Sequence, residues 1–492
     1  MTSVEIPNEK MNCQNFTNGE FVNGSGDQFD IHSPYNGEVI GTSNSSTKED
    51  VDKAIEFADL AFHKWKQTPL KERTKIMFEF RNLLLRDIES LSHIVSAENG
   101  KTHAESKAGI LKGIEVLEFA LSLQNLDSGA KMEVSRGVQC EYRREPLGVV
   151  ANITPFNFPA MVPMWTLPIV ITLGNSYVWK PSEKTPLTSH YMAKLFKEAG
   201  LPDGVLTVLQ GEKESVNAII EHPKVKAVGF VGSTKIAKLV YSKATSLGKR
   251  ALALGGAKNH IILLPDADNE ISGRGISDSF TGCAGQRCMA ASVLLAVGDT
   301  DTQIEHIVKR AKSNELGKSM GAIITQKQVQ FLNDSIAQAE KDGAKILLDG
   351  RKTQVPSEYE KGFWVGPTIL DNVNPESDAA RVELFGPIIS IIRCENLTQA
   401  LEIENQTPYG NACSVFTDNG ALAERVSKEA SAGMVGINVG VPVPREPFSF
   451  GGINDSKFGH GDITGVHSLN FWSNVKKVTT KWEMQKDNNW MS

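Results

Sequence analysis

The stretch FTGCAGQRCMA, residues 280–290, carries two thiols, Cys283 and Cys288, with Arg287 directly before the second. A cysteine attacks as the thiolate, so a catalytic one needs its ordinary pKa of about 8.5 lowered by positive charge or amide dipoles, and it must be reachable. Cys288 follows Gly285, Gln286 and Arg287 in a segment that reads as a loop opening into the apolar run MAASVLLAV. Cys283 sits between Gly282 and Ala284, at the expected end of a helix. Cys288 is therefore the candidate nucleophile, and Arg287 either lowers its pKa or pairs with a carboxylate. For Cys13, Cys140, Cys394 and Cys413 the ordinary reading of a lone cysteine, a small buried hydrophobe, stands.

Three further segments carry polar groups that suit such a thiol. In TPFNFP, residues 154–159, two prolines stiffen a loop after a strand. Asn157 there can donate its amide to the oxyanion that forms when a thiol adds to a carbonyl, alongside the N–H of the attacking residue; an Asn between aromatics is also an ordinary turn former. WKPSE places Lys180 and Glu183 just after a strand, where they can hold the hydroxyls of a nucleotide ribose or simply face water. KAVGFVGSTKIAK puts Gly232 and Ser233 at a strand-to-helix turn whose free N–H groups suit a pyrophosphate, although no Gly-x-Gly-x-x-Gly occurs. With no Walker loop and no His-Glu-x-x-His, metal chemistry has no support.

The elements that must position these groups follow from periodicity. From Lys48 to Leu126 apolar residues recur at helical spacing, and one of these helices closes on Gly100. Short apolar runs then alternate with amphipathic segments from GVVANITPFNFP to IAKLVYSKATSLG, which argues for βαβ units and a parallel sheet. The pattern restarts at HIILLPDAD, with helices expected at 302–314 and 325–342 and strands at WVGPTIL and IISIIRC. EVSRGVQCEYRREP reads as a polar hairpin and FWSNVKKVTTKW as a strand, both suited to an edge shared with another subunit.

A chain of 492 residues has room for two or three domains, and a composition of 40% hydrophobic and 22% charged residues is that of a folded globular protein. The net charge of -6 comes without any dense Lys/Arg block, so nucleic-acid binding has no support. Six irregularly spaced cysteines give no disulfide framework and point to the cytoplasm. The most apolar run, Met161 to Leu173, is interrupted by Pro163 and Pro168 and is too short to span a bilayer.

Taken together and in this order, TPFNFP, KPSE, FVGST, GGAKNH, AGQRCMA, ELFGP and FSFGG resemble the aldehyde dehydrogenase superfamily over nearly the whole chain. GAKNH followed by AGQRCMA is similar to the methylmalonate (malonate) semialdehyde dehydrogenases, which acylate coenzyme A. The resemblance implies an α/β fold with a Rossmann-type NAD-binding domain at 1–128 and 147–255 and an α/β catalytic domain at 256–445. It further implies a small β oligomerisation element at 129–146 and 466–492, completing a partner's sheet in a homodimer or homotetramer. NAD is the implied cofactor and CoA the co-substrate. In the implied route Cys288 attacks the aldehyde, Asn157 and the Cys288 N–H hold the oxyanion, and hydride passes to NAD, leaving a thioester. Thr154, Phe156, Gly232 and Ser233 belong to the implied cofactor site, as do Lys180 and Glu183 at the adenosine ribose and Glu383 and Phe385 beside the nicotinamide ribose.

In hydrolytic members of the family a glutamate ahead of the Gly-Gly-Lys segment activates water. Aligned on Lys258 and Cys288, that position is Leu254 here, and leucine is no base. CoA brings its own thiol, so the resemblance favours acyl transfer to CoA. The implied substrates, malonate and methylmalonate semialdehyde, carry a carboxylate that Arg287 can hold in bidentate fashion, and loss of CO2 gives acetyl-CoA or propionyl-CoA. Two departures stand out. Lys112 occupies the place of a second family arginine, offering a point charge where a fork is usual. Arg445 and Glu446 interrupt a segment, VPVPREPFSFGG, that is usually apolar; the added cation either serves a different anion or pairs with Glu446. The alternatives are a non-acylating dehydrogenase of another anionic aldehyde, such as a sulfonated one, and a non-enzymatic relative.

Overall fold

A computed structural model describes residues 4–7, 9–126 and 129–482. The ends of the expected domain segments at 1–3, 127–128 and 483–492 lie outside the described residues. Long runs of β-branched and aromatic residues become fully buried strands: Val149–Ile153 and Ser176–Lys180 are buried at every position. Such strands form the centre of an eight-stranded sheet whose parallel part runs, in space, Arg250–Leu254, Val225–Val231, Val149–Ile153, Ser176–Lys180 and Leu206–Val208. The chain starts in the middle strand and winds outward in both directions. The strand order therefore reverses at Val149–Ile153, and a doubly wound sheet opens its ligand crevice beyond the carboxyl ends of the strands at that switch point. The loops leaving there are TPFNFP and the Gly232–Ser233 turn.

Helices Lys48–Trp65, Leu70–Arg86, Ile88–Asn99 and His103–Leu126 form the block expected between Lys48 and Leu126. The first starts in a capping box made by Thr47 and Asp50 and buries Val51, Ala54, Ile55, Ala58, Phe62 and Trp65, one face at helical spacing. The third ends on Gly100 at φ 88°, a left-handed cap that turns the chain sharply before the fourth begins.

A second sheet of seven strands runs Lys345–Leu348, Thr368–Asp371, Ile388–Cys394, Ala291–Val297, Asn259–Leu263, Ala412–Phe416 and Met434–Ile437, parallel apart from the first. The strand expected over WVGPTIL is confined to Thr368–Asp371, because Pro367 has no N–H to give the ladder. The two expected helices lie at Asp301–Lys312 and Gln326–Lys341. The expected hairpin forms as Ala130–Ser135 and Val138–Pro146, and Ser473–Lys481 pairs with its second strand to make a three-stranded antiparallel sheet. Five short strands before residue 45, among them Asn15–Thr17 and Glu20–Val22 at the edge of the first sheet, complete the architecture. Among the described residues no helix is long and apolar enough to cross a membrane.

Candidate active site

Helix Asn269–Thr281 stops at Gly282, and Cys283, Ala284 and Gly285 follow with φ of 53°, 51° and 69°. Two of the three are not glycine, so this turn holds strain on the order of 1 kcal/mol per residue. Gly285 is required, since a Cβ there would run into the Gly386 carbonyl. The Gln286 N–H closes the turn on the Cys283 carbonyl at 3.0 Å, and its side chain donates to the Ala322 carbonyl and accepts from the Ile324 N–H, both at 3.0 Å. One turn later the Cys288 carbonyl accepts from the side-chain amides of Asn259 (2.8 Å) and Asn411 (2.9 Å). The loop with both thiols is thus braced from three other segments.

Cys288 is half-buried. Desolvation pushes its thiol up to about 12 and the Glu383 carboxylate adds to the rise, whereas the Arg287 guanidinium and the N–H groups of Cys288 and Met289 pull it down. Arg287 thus lowers the thiol pKa, one of the two roles expected of it, and loss of water outweighs that pull. Cys283 is buried and raised to about 11, by desolvation first and by Glu105 second.

On one side of the Cys288 sulfur lies a cavity of about 240 Å³, bordered by Phe156, Asn157, Gly232, Ser233, Glu383 and Phe385. Asn157 is 5% exposed and its amide donates to the Gln286 carbonyl at 3.1 Å. Ser233 lines the cavity and precedes helix Thr234–Ser246 without a side-chain capping bond, so the N–H groups of that first turn have no side-chain cap. Gly255 and Gly256 line the same space, and a Cβ on Gly256 would collide with the Glu383 carboxylate. Glu383 accepts from the Ala257 N–H at 3.0 Å, and desolvation raises its carboxyl to about 7 against the pull of that N–H and of Lys258. The Lys258 ammonium, lowered by burial, ties the Ala379 and Val382 carbonyls just ahead of Glu383. The rings of Phe156 and Phe385 meet edge-on at 5.9 Å.

Thr154, Lys180 and Glu183 stand outside this cavity's lining. Thr154 is buried, accepting the Trp179 indole N–H at 2.8 Å and donating its own N–H to the Lys180 carbonyl at 3.0 Å. Lys180 is buried at the end of its strand with its ammonium 3.5 Å from Glu183, and burial lowers its pKa. Leu254 is buried in the main apolar cluster.

On the other side of Cys288 a cavity of about 530 Å³ has apolar walls of Phe158, Met161, Trp165, Val441 and Phe450, and it carries Arg287, Lys112, Glu105 and Cys283. Cys288 is the residue that lines both cavities. One nitrogen of Arg287, Nη2, donates to the Asp278 and Ser279 carbonyls at the end of helix Asn269–Thr281, both at 2.8 Å, while its buried Nε has no partner. Lys112 pairs with Glu115 at 2.7 Å. Arg445 is not among the lining residues; its side chain is 70% exposed and its Nε lies 3.6 Å from the same Glu115.

The thiol of Cys288 thus lies between a small crevice and a larger apolar cavity that carries cations. The model of the aldehyde dehydrogenase family matches residues 21–478. The chain belongs to the aldehyde dehydrogenase family. It is 39% identical over 478 residues to malonate-semialdehyde dehydrogenase 2 of Geobacillus kaustophilus (strain HTA426), covering 95% of this chain and 98% of that one. It is 36% identical over 490 residues to the mitochondrial methylmalonate-semialdehyde/malonate-semialdehyde dehydrogenase (acylating) of Rattus norvegicus, covering 98% and 91%. A crystal structure from Sinorhizobium meliloti 1021 complexed with NAD has a TM-score of 0.95 to it at 37% identity, covering 98% of this chain and 100% of that one.

Several residues that hold this aldehyde dehydrogenase site together escape a reading of the sequence. Asn259 and Gln286 lie inside the GGAKNH and AGQRCMA segments, but as neutral amides they carry no signal of their own. Asn411, Lys101 and Glu105 come from distant segments. For Lys101 the available signal was its place directly after the helix-ending Gly100.

Proposed function

We propose that this aldehyde dehydrogenase oxidises malonate or methylmalonate semialdehyde through a thioester on Cys288, which loses CO2 and is then taken by the thiol of CoA. The observation that carries this reading is that among the described residues Cys288 alone borders both cavities, with Asn157 and Glu383 on one side and Arg287 and Lys112 on the other. The smaller cavity is the proposed place of the nicotinamide half of NAD. The uncapped N–H groups behind Ser233 suit a pyrophosphate, Glu383 and Phe385 suit the nicotinamide ribose, and Lys180 with Glu183 suits the other ribose. Gly256 leaves space beside Glu383 that any side chain would fill. Bound there, NAD supplies the hydride acceptor.

The residues of the chain do the rest. Arg287 holds the substrate carboxylate, Cys288 adds to the aldehyde carbon, and the oxyanion meets the Asn157 amide and the Cys288 N–H. Leu254 leaves no carboxylate ahead of Gly255, which favours release by a thiol over release by water. The exposed strand Ala130–Ser135 is the proposed edge for pairing with a second copy in a dimer or tetramer.

A second reading, release of a free acid from another anionic aldehyde such as a sulfonated one, draws on Glu383. It is the carboxylate lining the smaller cavity, and its pKa near 7 is that of a usable base. NADH formation from malonate semialdehyde, methylmalonate semialdehyde and a sulfonated aldehyde, each with and without CoA, separates the two. The proposal expects CoA-dependent turnover of the carboxylated semialdehydes with acetyl-CoA or propionyl-CoA as product. Equal rates without CoA and accumulation of free acid would sink it.

A further inference from the structure

The tripeptide Asn99–Gly100–Lys101 has no role in the reaction as described, yet it grips the loop that carries Asn157. Lys101 is 3% exposed. Its ammonium donates to Asn99 Oδ1 at 3.0 Å and to the backbone carbonyl of Asn157, and it lies 4.1 Å from the centre of the Phe158 ring. The Asn99 amide donates in turn to the Phe156 carbonyl at 2.7 Å. Two consecutive carbonyls of the TPFNFP loop are therefore tied to one tripeptide, and the ring that follows them is a wall of the larger cavity.

The grip is itself fixed. Gly100 adopts φ 88° and its carbonyl accepts from the Ala322 N–H at 2.7 Å, while the Tyr35 hydroxyl donates to the Lys101 carbonyl at 3.1 Å. A lysine ammonium used only as an anchor would be replaceable by a neutral donor, and burying a charge carries a penalty that a neutral group avoids. Among the described residues no carboxylate stands at ion-pair distance from it. Desolvation lowers the Lys101 pKa, while Cys283, Glu105 and Cys288 favour its charge and Arg287 opposes it. The ammonium thus stands behind the oxyanion amide and within the field of both thiols.

We propose that Lys101 is a positioning residue for thiol addition: it fixes the Asn157 carbonyl and the Phe158 ring, and its charge favours the anions that arise at Cys288. This rests on the reading of Cys288 as nucleophile and Asn157 as oxyanion donor. The test uses the full chain in a Cys283→Ala background, so that alkylation in the larger cavity reports one thiol, with the modified residue identified by peptide mass.

Lys101→Met keeps most of the length and volume of the side chain and removes both donors and charge. The expected result is a fall in kcat of about 10²-fold with the KM for NAD unchanged, together with a fall of about tenfold in the rate of Cys288 alkylation by iodoacetamide at pH 8, a rate that scales with the thiolate fraction. The other groups facing that sulfur, Glu383 and Arg287, are unaltered, so the fall reports Lys101. Lys101→Gln, which retains a donor without the charge, should recover part of kcat and leave alkylation slow. An unchanged alkylation rate in a variant that melts like the parent overturns the proposal, whatever kcat does, and so does failure of both variants to fold. Cys288→Ala run in parallel tests the underlying reading: retained turnover there refutes the thiol mechanism itself, whereas lost turnover with an unaffected Lys101→Met refutes Lys101 alone.

Discussion

Replacing Arg287 by methionine separates recognition of the substrate anion from activation of the thiol. A guanidinium has five N–H donors. The two on Nη2 are engaged by the Asp278 and Ser279 carbonyls, the buried Nε–H has no partner, and Nη1 has no protein acceptor among the described residues. Donors therefore remain for a carboxylate in the larger cavity. With both Nη2 hydrogens engaged no parallel fork remains, so the carboxylate takes a single charge-assisted bond from Nη1; losing it, at about 1.5 to 3 kcal/mol, weakens transition-state binding by about 10- to 10²-fold in kcat/KM. Methionine keeps an unbranched chain where the guanidinium lies against Gly282, whose notional Cβ would sit 2.7 Å from Nη2. The assay compares malonate semialdehyde with propanal, which has the same carbon skeleton without the carboxylate. The carboxylated substrate should lose the full factor, and propanal only the smaller part that Arg287 contributes by lowering the thiol pKa. Arg287→Lys should recover part of the difference, as a point charge. An equal loss for both aldehydes would refute the reasoning and leave Arg287 as a brace for the nucleophile loop.

Two further outcomes concern the smaller cavity. Because the Glu383 carboxyl is raised to about 7, it is protonated below that pH and offers less to ribose hydroxyls, so the KM for NAD should climb as pH falls through about 7. Glu383→Gln should show the high KM at every pH, and a flat profile in the parent enzyme would contradict the assignment. Gly256→Ala should raise the Kd for NADH by about tenfold, measured by fluorescence titration, because the new methyl group must displace the Glu383 carboxylate; unchanged affinity would place the nucleotide elsewhere.

Parallel strands buried on both faces are continuous apolar runs, so Val149–Ile153, Ser176–Lys180 and Ile388–Cys394 were readable directly. The three-residue strands before residue 45 were not, because pieces that short have no period and exist only through the sheet they join. Arg445 illustrates the corresponding limit at the site. Its neighbourhood in sequence placed it near the substrate, but its side chain is largely exposed and lies 3.6 Å from Glu115, on a helix more than three hundred residues earlier. The thiol is the sharper case. Arg287 beside Cys288 argues for a lowered pKa, and its pull is present, but the sum depends on how much water the fold removes, a quantity that no local spacing carries.

That sum has a functional consequence. Desolvation raises the resting Cys288 thiol and so disfavours the anion that alkylation and oxidation both require. The second contribution to the rise is the Glu383 carboxylate, which lines the same cavity. A donor that engages Glu383, or a proton taken by it, spreads or removes that negative charge and lowers the free energy of the thiolate. Filling the smaller cavity and arming the nucleophile are thus coupled through one carboxylate whose own pKa lies near neutrality. From the larger cavity Arg287 pulls in the same direction, while Lys101 stands behind the loop as a charge that does not depend on occupancy. The thiolate is most favoured when Glu383 is engaged.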